Sequence, residues 1–242
     1  MPVFRIDFGY DGTAFRGFAR QSGQRTVQGV LEDCLERVLR GPVQTTGAGR
    51  TDAGVHARHQ VVSFEWNGDL DPARLARSLN GMLGSEVVVD AVAETARDFS
   101  ARFSARWREY RYFVLNAPLA DPLSRHRCWH VVDQLDLSTM NEACRRLLGE
   151  HDFASFCRAP DSGSTTRRVI AAAWTLEGTM AVFTIIANAF CHQMVRSIVG
   201  LMVDVGRGRQ PPEIESILEA RDRRGGSNMA PPHGLILWEV GY

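Results

Sequence analysis

One stretch concentrates side chains able to do chemistry: Gly47-Ala48-Gly49-Arg50-Thr51-Asp52-Ala53-Gly54-Val55-His56-Ala57-Arg58. Asp52 is its carboxylate, flanked by Arg50, His56 and Arg58 among glycines that let backbone approach a ligand. A carboxylate held ionised by an arginine can act as a nucleophile or as an acid/base. The ordinary alternative is a turn aspartate that caps its own loop. Asp52, His56 and His59 also allow a metal site, but neither H-E-x-x-H spacing nor a cysteine supports it. G-x-x-x-x-G-K and G-x-G-x-x-G are both missing from the stretch, which weakens nucleotide readings.

Two further groups stand out. A strand from Ala105 to Leu115 puts Arg106, Arg108, Tyr110 and Tyr112 on one face, a set suited to base stacking and phosphate contact. The same tyrosines could equally be half-buried core. A helix from Phe190 to Val205 carries His192 and Arg196 at i, i+4 beside Met194, Val195 and Ile198. An arginine embedded there needs a carboxylate partner, unless it snorkels to the surface.

The remaining pattern supplies the elements that must position these groups. Val3 to Tyr10 alternates as a half-buried strand. Thr26 caps a helical stripe of Val27, Val30, Leu31, Cys34, Leu35, Val38 and Leu39. Val43 to Thr46 is a short strand and Val62 to Trp66 a longer one, followed by a helix from Pro72 and a strand from Glu86 to Val92. This order, β-α-β-β-α-β, is the ferredoxin-like pattern. With insertions it is recoverable again from Ala105, through a helix at Ser138–Leu148, a hairpin around Glu177-Gly178, the Phe190 helix and a last strand from Leu235 to Tyr242. The expected organisation is an N-terminal half over 1–103 and a C-terminal half over 104–242, without a Pro/Gly/Ser-rich linker.

The bulk composition sets limits. The 242 residues carry zero net charge, and every one of the 28 basic residues is arginine. Each can therefore make planar, bidentate phosphate contacts. Residues 102–127 hold six arginines against Glu109 and Asp121, enough for one basic face on a neutral chain. The five cysteines show no C-x-x-C spacing, which argues against a zinc knuckle or disulfide framework. No apolar run reaches the ~20 residues of a membrane span, and Met1-Pro2-Val3-Phe4-Arg5 lacks a signal-peptide core. A cytoplasmic location is expected.

Together the motifs resemble the tRNA pseudouridine synthase A family. The match runs through Tyr10-Asp11-Gly12-Thr13, Gly17-Phe18, Thr26-Val27-Gln28, the Gly49–Ala57 run, Tyr110-Arg111-Tyr112, His151-Asp152-Phe153, Met194-Val195-Arg196, Val199-Gly200 and Ala230-Pro231-Pro232 with Gly234-Leu235. Ala19 and Cys191 depart from the family's usual glutamine and leucine. The resemblance implies an α+β fold of two ferredoxin-like (RRM-like) halves sharing a central antiparallel sheet, with a cleft between them. It implies isomerisation of uridine to pseudouridine at tRNA positions 38, 39 and 40, by a homodimer that needs no metal, nucleotide or organic cofactor. By the same match Asp52 is the essential aspartate, Tyr110 the base-stacking tyrosine and Arg196 the aspartate's ion-pair partner. Arg58 helps to displace the target base, and Leu235 walls the uracil pocket. Arg50, Arg106, Arg108 and Tyr112 are expected to contact RNA. Two other readings compete: a non-catalytic RNA-binding protein using the Arg106–Tyr112 face, and a metal-dependent hydrolase using Asp52, His56 and His59.

Overall fold

The computed structural model describes residues 1–158, 163–209, 214–222 and 228–242. It is a mixed α+β structure whose strands pair mostly antiparallel and which has five α-helices among the described residues. Two compact units emerge: Met1–Arg106 with Ile236–Tyr242, and Trp107–Leu235.

The first unit begins with β1 (Val3–Tyr10), whose alternation buries Phe4, Ile6, Phe8 and Tyr10. It lies antiparallel between β3 (His56–Glu65) and β4 (Val87–Thr95). The two-residue β2 (Thr46–Gly47) pairs antiparallel with Ser63 and Val62 of β3. The expected loop therefore ends earlier than its sequence suggests, since His56, Ala57 and Arg58 already belong to β3.

Helix α1 (Val27–Leu39) starts where Thr26 accepts the Gly29 N–H, and α2 (Pro72–Leu83) where Asp71 accepts from Ala73 and Arg74. Their apolar stripes bury Leu31, Leu35, Leu75 and Leu79, each worth about 1.5–3 kcal/mol of transfer from water.

One buried carboxylate organises the turn after α1. Glu32 is 5% exposed. It accepts hydrogen bonds from the Thr45 N–H and hydroxyl, both at 2.9 Å, and from Gln28, and it pairs with Arg20 at 2.6 Å.

The last strand, β10 (Leu235–Gly241), joins this unit through residues 236–241 and pairs parallel with β3 at His56 and Ala57. A side-chain cluster reinforces that short pairing. His59 bonds Asp7 of β1 through Nε2 at 2.7 Å and Glu239 of β10 through Nδ1 at 2.5 Å. Only an imidazolium can donate from both nitrogens. The Asp7 bond, aided by Glu239, raises the His59 pKa against the cost of burial. Burial alone would raise the Asp7 carboxyl, but bonds from His59 and Arg5 outweigh it and hold it below its usual range.

The second unit is built on β5 (Trp107–Asn116), β9 (Met180–Ala187), β8 (Thr166–Glu177) and β7 (Gly149–Asp152), antiparallel in that order. The short β6 (Trp129–Val131) runs parallel to β5. Helix α3 (Leu137–Arg145) packs against β8 and against α4 (Met194–Gly206), and α5 (Ile214–Ala220) follows. Helix α4 begins four residues later than its apolar periodicity predicts, because Gln193 sits at φ +68. His192 is thus in the loop before the helix, and its i, i+4 relation to Arg196 does not exist.

Two predictions follow from these buried polar groups. Glu32→Ala leaves the Thr45 N–H without its acceptor and should cost about 1–3 kcal/mol, read as a lower Tm. Glu32→Gln should recover part of the loss, and an unchanged Tm in the alanine variant would contradict the assignment. For the His59 cluster, the raised imidazole pKa makes its contribution complete below the ordinary value of 6.5 and lost as pH rises through the folded-state value. The stability gap between wild type and His59→Gln should therefore be widest near pH 6 and narrow as pH rises. On the acid side it should shrink as pH falls through the lowered Asp7 value. A gap that widens above pH 7 would contradict this.

Candidate active site

In the first unit, Asp52 opens a tight turn: its carbonyl accepts the Val55 N–H at 3.2 Å. Gly54 takes the positive φ (+78) that this turn requires. The turn reading of Asp52 and the chemical reading are thus both compatible with the backbone.

Neighbouring segments hold the turn in place. The Thr51 carbonyl accepts the Phe18 N–H at 3.0 Å. The Thr51 hydroxyl shares a 2.8 Å hydrogen bond with the buried Tyr10 phenol. Burial pushes that phenol up to about 12, despite its bonds to Thr51 and Gln60, so Tyr10 is a neutral strut. Gly12 lies so close beneath Val55 that a Cβ there would collide with the Val55 carbonyl. Its N–H donates to His56 Nδ1 at 3.0 Å. Asp11 accepts from the Thr13 N–H and hydroxyl at 3.0 and 2.6 Å, closing its own turn. Upstream of the turn, the Ala48 N–H donates to Val61 and the Gln60 amide to the Gly49 carbonyl, both at 2.8 Å.

Two of the glycines have structural roles within the unit. A Cβ on Gly47 would stand 2.5 Å from the Phe18 ring, so that residue makes room for packing, and Gly54 serves the turn. His56 is buried, with Nδ1 accepting from Gly12, and both ring nitrogens of His59 bond carboxylates.

Asp52 itself is half-buried. Arg50, Arg58 and Arg106 are exposed, with the Arg58 guanidinium 4.6 Å from the Trp238 ring centre. They are the accessible cations among the expected RNA contacts.

The second unit holds the other expected residues. On β5 the residues 108, 110, 112 and 114 face inward, and Arg106 precedes the strand. Tyr110 is 7% exposed and meets Phe190 edge-on, with ring centres 5.0 Å apart. Arg108 is buried and donates to the Asn188 carbonyl at 2.7 Å. Tyr112 is wholly buried, and its hydroxyl donates to the Pro231 carbonyl at 2.8 Å. Arg108, Tyr110 and Tyr112 therefore share the face of β5 that this unit buries. Alternation identifies two faces but not which one a sheet buries.

Arg196 is also buried, at 9% exposure. Its Nε donates to the Ala230 carbonyl at 2.8 Å, and the Ala230 N–H returns to the Arg196 carbonyl at 3.1 Å. One helical turn on, Gly200 lies against the same segment, where a Cβ would overlap the Asn228 carbonyl. Gly234 makes similar room for the Tyr112 ring, 2.6 Å from where its Cβ would stand. Leu235 follows, buried. Tyr112, Gly200 and Gly234 are thus positioning residues of the 228–235 segment. The sequence hints at the two glycines only through Val199-Gly200 and Gly234-Leu235, and marks Tyr112 for a different role.

Gly200→Ala should displace residues 228–230, cost about 1–3 kcal/mol and reduce hydrogen-exchange protection of the Ala230 amide. Unchanged protection would contradict the packing described.

A family model described as tRNA pseudouridine synthase matches residues 8–104 and 143–242. The tRNA pseudouridine synthase A of Geobacillus kaustophilus is 44% identical over 237 residues, covering 96% of this chain and 92% of that protein. That of Streptomyces avermitilis is 45% identical over 250 residues, covering 98% and 87%. That of Brevibacillus brevis is 41% identical over 244 residues, covering each chain completely. With matches of this extent running through the Asp52 turn and the Arg196 helix alike, the chain belongs to the tRNA pseudouridine synthase family.

Proposed function

We propose that this enzyme isomerises uridine to pseudouridine in the anticodon stem-loop of tRNA, at positions 38, 39 and 40, with Asp52 as the essential carboxylate. The observation that carries the reading is the turn itself: a half-open aspartate between Thr51, bonded by Tyr10 and Phe18, and His56, bonded by Gly12, within the family match. Such rigid support is what a reacting group needs.

The reaction breaks the N1–C1′ bond and forms a C5–C1′ bond. The C5 proton is lost, and N1 gains one, so atoms balance without a cofactor. The target base must first leave its stack, at a cost of a few kcal/mol. Exposed Arg50, Arg58 and Arg106 suit phosphate contact, with Arg58 assigned to displacing the base. Tyr110 and Leu235 supply an aromatic face and an apolar wall for the detached uracil. Arg196 is assigned to Asp52's charge, because an unpaired carboxylate in a dry pocket tends to protonate.

The same reading takes the units as ferredoxin-like halves. In the first, β4-β1-β3 with β2 against β3 is the strand order that this pattern requires. It also takes the active form as a homodimer in the cytoplasm.

The test uses an unmodified anticodon stem-loop tRNA transcript, incubated with the enzyme and mapped by carbodiimide labelling and primer extension. Pseudouridine should form at 38, 39 or 40 wherever uridine stands there, also in excess chelator. Formation elsewhere alone, or loss of activity with chelator, would contradict the proposal. Arg58→Ala should lower kcat/KM while leaving Tm unchanged.

A further inference from the structure

We propose that Cys157 and Cys191 are a redox-responsive thiol pair, which a peroxide converts into an intramolecular disulfide. Two backbone segments bring them together. Cys157 ends the 3-10 turn Ala154–Phe156, and Cys191 lies in the loop before α4. The residues that follow them are bonded directly, Arg158 N–H to the His192 carbonyl at 3.1 Å. The Cys157 side chain lies beside the Cys191 thiol, and the Cys191 Sγ reaches the Thr165 carbonyl at 3.6 Å. A backbone bond one residue beyond each cysteine holds their segments side by side, as a disulfide between them requires.

The roles within the pair differ. Cys191 is half-exposed, whereas Cys157 is 2% exposed. The bond from Cys157 lowers the Cys191 thiol's pKa in spite of burial, and the Arg167 charge adds to this. An accessible thiol with enhanced thiolate character beside a second, sheltered thiol is the arrangement of an attacking and a resolving cysteine. The remaining thiols differ. Cys34, Cys128 and Cys144 are buried, and burial raises Cys34 and pushes Cys144 up to about 12.

The chemistry balances. The Cys191 thiolate attacks one peroxide oxygen, the O–O bond breaks and water leaves after protonation, giving a sulfenic acid. The Cys157 sulfur then attacks the Cys191 sulfur, the S–O bond breaks and a second water leaves. Two thiols lose two electrons and two protons, and hydrogen peroxide is reduced to two waters.

The position gives the bond leverage within its unit. Phe190, the residue before Cys191, stands edge-on to Tyr110. Three residues after Cys191, α4 begins, carrying Arg196. A disulfide would tie this loop to the 3-10 turn and restrict both neighbours.

Reduced wild-type protein is treated with hydrogen peroxide, alkylated with N-ethylmaleimide after denaturation, digested and mapped by mass spectrometry. The expected product is a peptide pair linked through Cys157 and Cys191, reversed by dithiothreitol, with Cys34, Cys128 and Cys144 alkylated. In native reduced protein, Cys191 should take up iodoacetamide about tenfold faster than any other cysteine. Cys157→Ser should accumulate a Cys191 sulfenic acid that dimedone traps, and Cys191→Ser should leave Cys157 reduced. Five free thiols after peroxide, a different linkage, equal alkylation rates or no dimedone adduct would each overturn the proposal. All of these readouts are independent of tRNA modification, so they do not depend on the proposed reaction.

Discussion

The backbone from Thr51 to Val55 is held by hydrogen bonds and contacts from segments far away in sequence, and the first unit is arranged around that constraint. Tyr10 reaches Thr51 from the end of β1. Gly12 fits beneath Val55 and donates to His56. Phe18 donates to Thr51 while its ring fills the space left open at Gly47. The next layer holds these in turn: Val27 and Gln28 donate to the Gly17 and Phe18 carbonyls, at 3.2 and 2.9 Å. Three separate sequence motifs, at 10–13, 17–18 and 26–28, therefore do one physical job. A carboxylate on such a support loses little freedom when it engages a substrate, because its backbone is ordered beforehand.

The second unit uses the same kind of device. Arg196 and Ala230 exchange hydrogen bonds, Tyr112 holds Pro231, and Gly200 and Gly234 leave out the side chains that would keep the segments apart. Burial makes these bonds consequential, since an unmet polar group there costs far more than one in water. A substitution at Tyr112 would thus act on Pro231 and on the Gly234-Leu235 step through packing.

The sequence was most legible where one strong local signal set an element. Clean alternation marks β1, and the Thr26 cap with its apolar stripe marks α1. It was less legible where a tertiary constraint overrode periodicity, as at Gln193, whose positive φ delays α4 although apolar residues continue upstream. Short elements such as β7 and α5 carry too few residues for a period to show. Contacts across long separations leave no spacing signal, and the Asp7–His59–Glu239 cluster spans almost the whole chain. Asp52 is a special case: its backbone forms an ordinary turn, and the run Gly49–Ala57 with its family match singles it out.

The most direct test of the central claim compares wild type with Asp52→Asn on tRNA carrying tritium at uridine C5. Isomerisation releases that tritium, while filter binding reports tRNA affinity separately. The account predicts loss of release by at least about 10²–10⁴-fold, with tRNA affinity and Tm close to wild type. Release at the wild-type rate from the asparagine variant would contradict it.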